Sequence, residues 1–259
     1  MSLASTEPLI LKSRPLQGRR VLVTGAAKRI GAGIARCLAE AGADIAITYH
    51  HSRADAEQLA EQLESLGVRT AAIACDLHEP AQITAAVAGA ARALAGSGQE
   101  RLDLLVNNAG AFETADLEHV SVAQWDAMFQ TNTRAPLLVA QAALPFLRVE
   151  GGRILNIGSL GGLHPWATHG HYCASKAALH MLTQTMAKAW APEVAVNCVA
   201  PGMIVTGAEA EEGYAHFLQK TPMQRNGRVG DVAEVVLYLA SATMFLTGQI
   251  IAVDGGLGL

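Results

Sequence analysis

The spacing of apolar runs most constrains what this chain can fold into. Along its 259 residues, short stretches rich in aliphatic and β-branched side chains alternate with longer stretches of helical periodicity. Strands are expected at 20–24, 44–49, 69–75, 102–107, 153–158, 194–200 and 249–253, with helices at 29–41, 53–66, 79–95, 121–148, 172–190 and 230–240 between them. A strand–helix–strand crossover is right-handed, so a chain of such units covers both faces of a parallel sheet with helices. The expectation is an α/β fold, a doubly wound parallel sheet of about seven strands.

No Pro/Gly/Ser linker interrupts the pattern and no 20–50-residue repeat is present, which makes 19–259 one domain behind an arm at 1–18. Residues 203–228, rich in charge and glycine between a strand and a helix, suit a mobile lid.

Composition removes several classes of function. Nineteen Lys and Arg stand against 23 Asp and Glu, a net charge of −4 without a basic block, so counterion-driven nucleic-acid binding has no support. No apolar run reaches the roughly 18–20 residues a bilayer span needs. The first residues mix Glu7, Lys12 and Arg14 with two prolines, unlike a secretory signal. Cys37, Cys75, Cys173 and Cys198 form neither a pair motif nor a metal-ligand spacing, and a reducing, cytoplasmic setting is the expectation.

The first strand runs into Thr24-Gly25-Ala26-Ala27-Lys28-Arg29-Ile30-Gly31, which opens a helix. Glycine lets the backbone approach a pyrophosphate, and the helix N-terminus offers free N–H groups and partial positive charge. At this junction of an alternating chain, the turn points to a Rossmann-type dinucleotide site. A free ribose 2′-hydroxyl favours a carboxylate after the second strand, whereas a 2′-phosphate needs donors and cations. Here Tyr49-His50-His51-Ser52-Arg53 has no carboxylate before Asp55, and Lys28 and Arg29 stand nearby, so NADP(H) is the expected cofactor.

Tyr172 and Lys176 share one face of an expected helix, four residues apart. An ammonium beside a phenol favours phenolate and lowers the tyrosine pKa, which suits Tyr172 to general acid–base work at a carbonyl. Ser159, closing a strand, can hydrogen-bond the same oxygen.

Together with Asn107-Asn108-Ala109-Gly110, Asn132, Gly158-Ser159, Tyr172-Cys173-Ala174-Ser175-Lys176 and Pro201-Gly202, the chain over about 19–256 resembles the short-chain dehydrogenase/reductase family. The resemblance implies a catalytic tetrad of Asn132, Ser159, Tyr172 and Lys176. In it tyrosine moves the oxygen-bound proton, serine polarises the carbonyl, lysine also binds the nicotinamide ribose, and asparagine holds the helix and a proton-relay water. It further implies cofactor contacts from Gly25, Ile30 and Gly31, from Asp76 and Leu77 beside the adenine, from Asn107, Ala109 and Gly110, and from Pro201, Gly202, Ile204 and Thr206. Phe112, Trp166 and Met203 are candidate substrate residues, the last two equally readable as core. The family's frequent homotetramer, built on the helices at 121–148 and 172–190, is the implied assembly.

Arg29 departs from the family's T-G-x-x-x-G-x-G turn by replacing its middle glycine. That arginine, the Tyr49–Ser52 stretch, Phe112 and Ala191-Pro192-Glu193-Val194-Ala195-Val196-Asn197 resemble the pteridine-reductase branch. Ser159, where that branch commonly has aspartate, and Gly110, where many members have serine, speak against it.

His164, His169 and His171 invite a zinc reading, but their spacing fits no usual ligand pair and no metal is expected. Trp125 and Phe129, at helical spacing, read as packing or subunit contacts, and Cys173 as packing. The expected activity is NADPH-dependent reduction of a small or medium ketone or a 3-oxoacyl thioester. The alternatives are a pteridine reductase acting on a pterin and a catalytically silent cofactor sensor.

Overall fold

The computed structural model describes residues 14–207 and 214–259. In chain order the strands of the central sheet are β1 (Arg20–Val23), β2 (Asp44–Tyr49), β3 (Thr70–Ala74), β4 (Leu104–Asn107), β5 (Gly152–Ile157), β6 (Val194–Pro201) and, last in the chain, β9 (Ile250–Val253). Their order in space is β3-β2-β1-β4-β5-β6-β9, with every pair parallel. The direction of winding reverses between β1 and β4, and a crevice opens there at the carboxyl ends of the strands.

The helices are α1 (Arg29–Glu40), α2 (Arg53–Glu64), α3 (Pro80–Ala95), α4 (Val122–Phe129), α5 (Ala135–Leu147), α6 (Gly170–Trp190) and α7 (Val229–Ser241). Side chains alternate across a strand, so each strand feeds two cores. Val21, Val23, Ile45, Ile47 and Val106 meet Ile34 and Leu38 of α1, Leu63 of α2 and Val236 of α7 on one face. On the other, Leu22, Leu105, Ile154 and Val196 meet Val87 of α3, Val139 of α5 and Met186 of α6. Burial on both sides is why the strands read as nearly unbroken apolar runs. Each fully buried aliphatic side chain contributes about 1.5–3 kcal/mol.

The helix expected at 121–148 is three pieces in series. Ser121 caps α4 by accepting from the Gln124 N–H, and the Gln124 side chain accepts from the Ser121 N–H in return. A π turn then spans Gln130–Arg134 before α5 begins. Pro136 lacks the N–H that would close an α turn onto Asn132, and the helix widens at that point.

The short parallel pair β7 (Ile204–Val205) and β8 (Gly227–Arg228) was not expected, since two residues carry no periodicity. It ties together the ends of the 203–228 stretch, of which 208–213 lie outside the described residues.

Candidate active site

The crevice between β1 and β4 is pinned by side chains at the strand ends. Thr24 Oγ1 accepts from the N–H groups of Asn108 and Ala109, both at 3.1 Å, and Asn108 Nδ2 donates to the carbonyls of Thr24 and Gly25 at 2.9 and 3.0 Å. Gly25 has φ +59°, and a Cβ there would stand 2.9 Å from Ala109 Cα, so no other residue fits the turn without displacing it. Arg29 is also left-handed, at φ +54°, with a side chain that must tolerate a conformation costing about 1–2 kcal/mol.

Beyond this turn a cleft of ≈ 490 Å³ extends across the ends of β4, β5 and β6. Gly25, Lys28, Arg29, Ile30 and Gly31 form one end, and Ala109 and Gly110 the floor. Ser159, Tyr172 and Lys176 stand at the other end, with Phe112 and Trp166 above them. Pro201, Gly202, Met203, Ile204 and Thr206 close the side towards β7.

Other expected contacts sit outside these walls. His50, His51, Ser52 and Arg53 occupy the rim where β2 enters α2, and the two imidazoles lie with ring centroids 3.6 Å apart. His50 Nε2 is 3.6 Å from Asp76 Oδ2. The Asp76 carboxyl is held below its ordinary range, first by the His78 backbone N–H and then by neighbouring imidazoles. Leu77 follows Asp76 just past β3 and packs, partly buried, against the α3 side of the core. Lys28 Nζ pairs with Asp55 Oδ2 at 3.0 Å, a contact the sequence reading did not include. Asn107 points inward: its Nδ2 donates to Asn156 Oδ1 at 2.9 Å and to the Pro136 carbonyl at 3.2 Å, and its neighbour Asn108 lines the cleft instead.

At the chemical end, Lys176 Nζ is buried and donates to the Ile157 carbonyl at 2.8 Å. Burial lowers its pKa to about 8. Burial also pushes the Tyr172 phenol up to about 12, against a smaller downward pull from Ser159. The expected lowering of Tyr172 by lysine is not seen: loss of solvent dominates, only Ser159 pulls the other way, and the ammonium is taken up by a backbone carbonyl. At neutral pH the phenol carries its proton, the form that a donor to a carbonyl oxygen needs.

Asn132 is fully buried on the π turn, accepting from the Ala111 N–H at 2.8 Å and donating to the Ala111 carbonyl at 2.9 Å and Ser175 Oγ at 3.0 Å. It clamps the segment after β4 to α6, one residue from Lys176. A feature absent from the sequence reading supports Ser159: His180 Nε2 accepts from the Ser159 N–H at 3.4 Å. Burial, with Lys176 nearby, lowers the His180 pKa to about 4, so this imidazole is a neutral acceptor. A histidine inside a helical run carries no pattern that would single it out.

The three loop histidines do not converge. His169 bonds to Thr114 and Thr168, His171 is buried 3.8 Å from Glu113, and His164 lies by Gly258. Ala111, Ile157 and Tyr214 line the cleft without having been singled out by sequence, beside Gly158 of the Gly158-Ser159 motif.

A doubly wound sheet with a glycine turn at its switch point and a Ser–Tyr–Lys cluster across the cleft defines a dinucleotide-fold oxidoreductase. The family model described as enoyl-(acyl carrier protein) reductase matches residues 25–258. An uncharacterised oxidoreductase of Methylorubrum extorquens is 35% identical over 249 residues, covering 93% of this chain and 98% of that protein. A 3-oxoacyl-(acyl-carrier-protein) reductase of Staphylococcus aureus is 35% identical over 245 residues, covering 92% and 98%. The crystal structure of a short chain dehydrogenase from Burkholderia cenocepacia in complex with NADP superposes with a TM-score of 0.86 at 38% identity, covering 94% of this chain and 99% of that one. The chain belongs to the short-chain dehydrogenase/reductase family. Among the described residues no helix is long and apolar enough to cross a membrane.

Proposed function

We propose that the protein is an NADPH-dependent carbonyl reductase that converts a ketone or 3-oxoacyl group to the alcohol. The observation that carries this reading is the meeting of Ser159, Tyr172 and Lys176 at one end of a cleft whose other end is a cationic phosphate turn. The residues fit the cofactor: Gly25 leaves room for a pyrophosphate against the backbone, and Lys28 and Arg29 face the same end. NADPH, when bound, supplies the hydride.

The chain does the rest. Ser159 holds and polarises the carbonyl oxygen, and Tyr172 donates its proton to that oxygen as charge develops there. Lys176, cationic below about pH 8, stabilises the phenolate left behind and offers its ammonium to the nicotinamide ribose. Asn132 keeps α6 in register with the cleft floor. Arg29, His51, Ser52 and Arg53 would hold the 2′-phosphate at the rim, and Asp76 would face the adenine.

The helices α4–α6 carry a half-exposed Trp125–Phe129 stack and a largely exposed Met181, a face that supports the homotetramer. Four free cysteines suit a cytoplasmic setting. A second reading, pteridine reduction, is favoured by Phe112, 57% exposed and edge-on to Tyr172. The deciding experiment follows NADPH oxidation with ketones, 3-oxoacyl thioesters and a biopterin or folate substrate. Turnover confined to the pterins, or to none of the panel, rejects the main reading.

A further inference from the structure

Four rings close a circuit at the catalytic end of the cleft. Phe112 stacks on His169 with centroids 4.7 Å apart and meets Tyr172 edge-on at 4.8 Å. Trp166 meets His169 edge-on at 5.9 Å and lies nearly parallel to Tyr172 at 6.1 Å, the planes inclined by 16°. The proton donor is therefore one member of an aromatic belt contributed by two segments far apart in sequence, the one after β4 and the one that leads into α6.

Apart from the Tyr172 hydroxyl and the Trp166 indole N–H, the belt presents faces and edges. Both imidazole nitrogens of His169 are taken, Nε2 by Thr114 Oγ1 and Nδ1 by Thr168 Oγ1, each at 2.9 Å. Burial disfavours its charged form, leaving a neutral ring. Phe112 exposes more than half of its surface and lines the cleft, an arrangement that costs solvation unless a partner covers it.

The loop beyond Phe112 is acidic. Glu113, Asp116 and Glu118 stand within six residues of one another, with His119 against Asp116 and the buried His171 beside Glu113. These carboxylates follow Phe112 in the chain without lining the cleft, and their charge disfavours phosphates near that end more than it disfavours a neutral ring system.

We propose that the substrate of this site is a neutral ketone whose carbonyl is attached to, or fused into, a planar aromatic ring system, held by Phe112 and Trp166 while Tyr172 serves its oxygen. This rests on the carbonyl-reductase reading above. In the reaction the carbonyl carbon gains a C–H bond from the hydride, the C=O π bond breaks, and its oxygen takes the Tyr172 proton. The reduced nicotinamide is oxidised, and the phenolate is reprotonated from solvent.

The test compares kcat/KM with NADPH for 1-tetralone, 2-octanone and acetoacetyl-coenzyme A. A preference of at least tenfold for 1-tetralone is expected, given that aromatic pairs add to area burial. Phe112→Leu and Trp166→Leu should each raise KM for 1-tetralone about three- to tenfold, and by a larger factor than they raise KM for 2-octanone, with Phe112→Tyr restoring the loss. Equal or better kcat/KM for 2-octanone or the thioester overturns the proposal and spares the reductase reading. If NADPH binds but no ketone turns over, the reductase reading fails. Quenching of tryptophan fluorescence by 1-tetralone then decides: saturable quenching lost in Phe112→Leu supports the aromatic site, and its absence overturns it.

Discussion

Lys176 Nζ donates to the carbonyl oxygen of Ile157, the last residue of β5, at 2.8 Å. One bond thus ties α6 to the strand that delivers Ser159 two residues later. Because both ends of the contact are buried, the lysine acts as a fixed strut as well as a charge.

Removing the phenol proton without removing the ring separates chemistry from packing. Tyr172→Phe should keep NADPH affinity and lower turnover by about 10²–10⁴-fold, the usual worth of general acid catalysis. Fluorescence titration and steady-state rates check the two halves, and near-full turnover at neutral pH would refute the donor assignment.

The lysine sets the alkaline side of the pH profile. Its folded pKa of about 8 lies below the ordinary 10.5, so the ammonium is lost as pH rises through 8, and reduction should slow there. The unfolded chain binds more protons between those values, so this residue's contribution to stability rises with pH across the same window. Denaturant midpoints should show wild type gaining on Lys176→Met from pH 8 to 10.5. A constant difference would contradict the burial argument.

Cofactor choice should follow the rim charges. Hydrogen bonds to a charged group are worth about 1.5–3 kcal/mol, enough for a tenfold preference from a single arginine. Arg29→Ala and Arg53→Ala should each weaken NADPH binding and barely change NADH binding, with added salt eroding the preference. Asp55→Asn should do the opposite by freeing Lys28 from an exposed pair that is itself worth little. Equal affinities for both cofactors in the unmodified protein would sink the assignment.

Arg29 offers a trade between fold and ligand. Arg29→Gly relieves the φ +54° backbone and should raise stability by about 1 kcal/mol while weakening NADPH binding. Thermal unfolding with and without NADPH reads both signs. A destabilised variant would mean that the side chain supplies more to the fold than the turn costs.

The helical face should govern assembly. Phe129→Asp and Met181→Glu place a charge on it and should shift a tetramer to smaller species in light scattering after gel filtration. An unmodified protein that runs as a monomer would remove the premise.

Local hydrogen-bond geometry has fixed periods, and so whatever depends on a period was legible in the sequence. The strand–helix alternation, the glycine turn after β1 and the shared face of Tyr172 and Lys176 all follow from spacings of a few residues. Tertiary structure decided what depends on the path of the chain between elements. Asn132 turns inward because a π turn precedes Pro136, and Asn107 turns inward because Asn156 faces it across β4 and β5. Lys28 meets Asp55, and His180 meets Ser159, across turns that no period sets. Phe112 meets the stretch of Trp166, His169 and Tyr172 because the segments after β4 and β5 pass over neighbouring strand termini, a convergence that exists only when the sheet has assembled and its burial has overcome the entropy of ordering those loops.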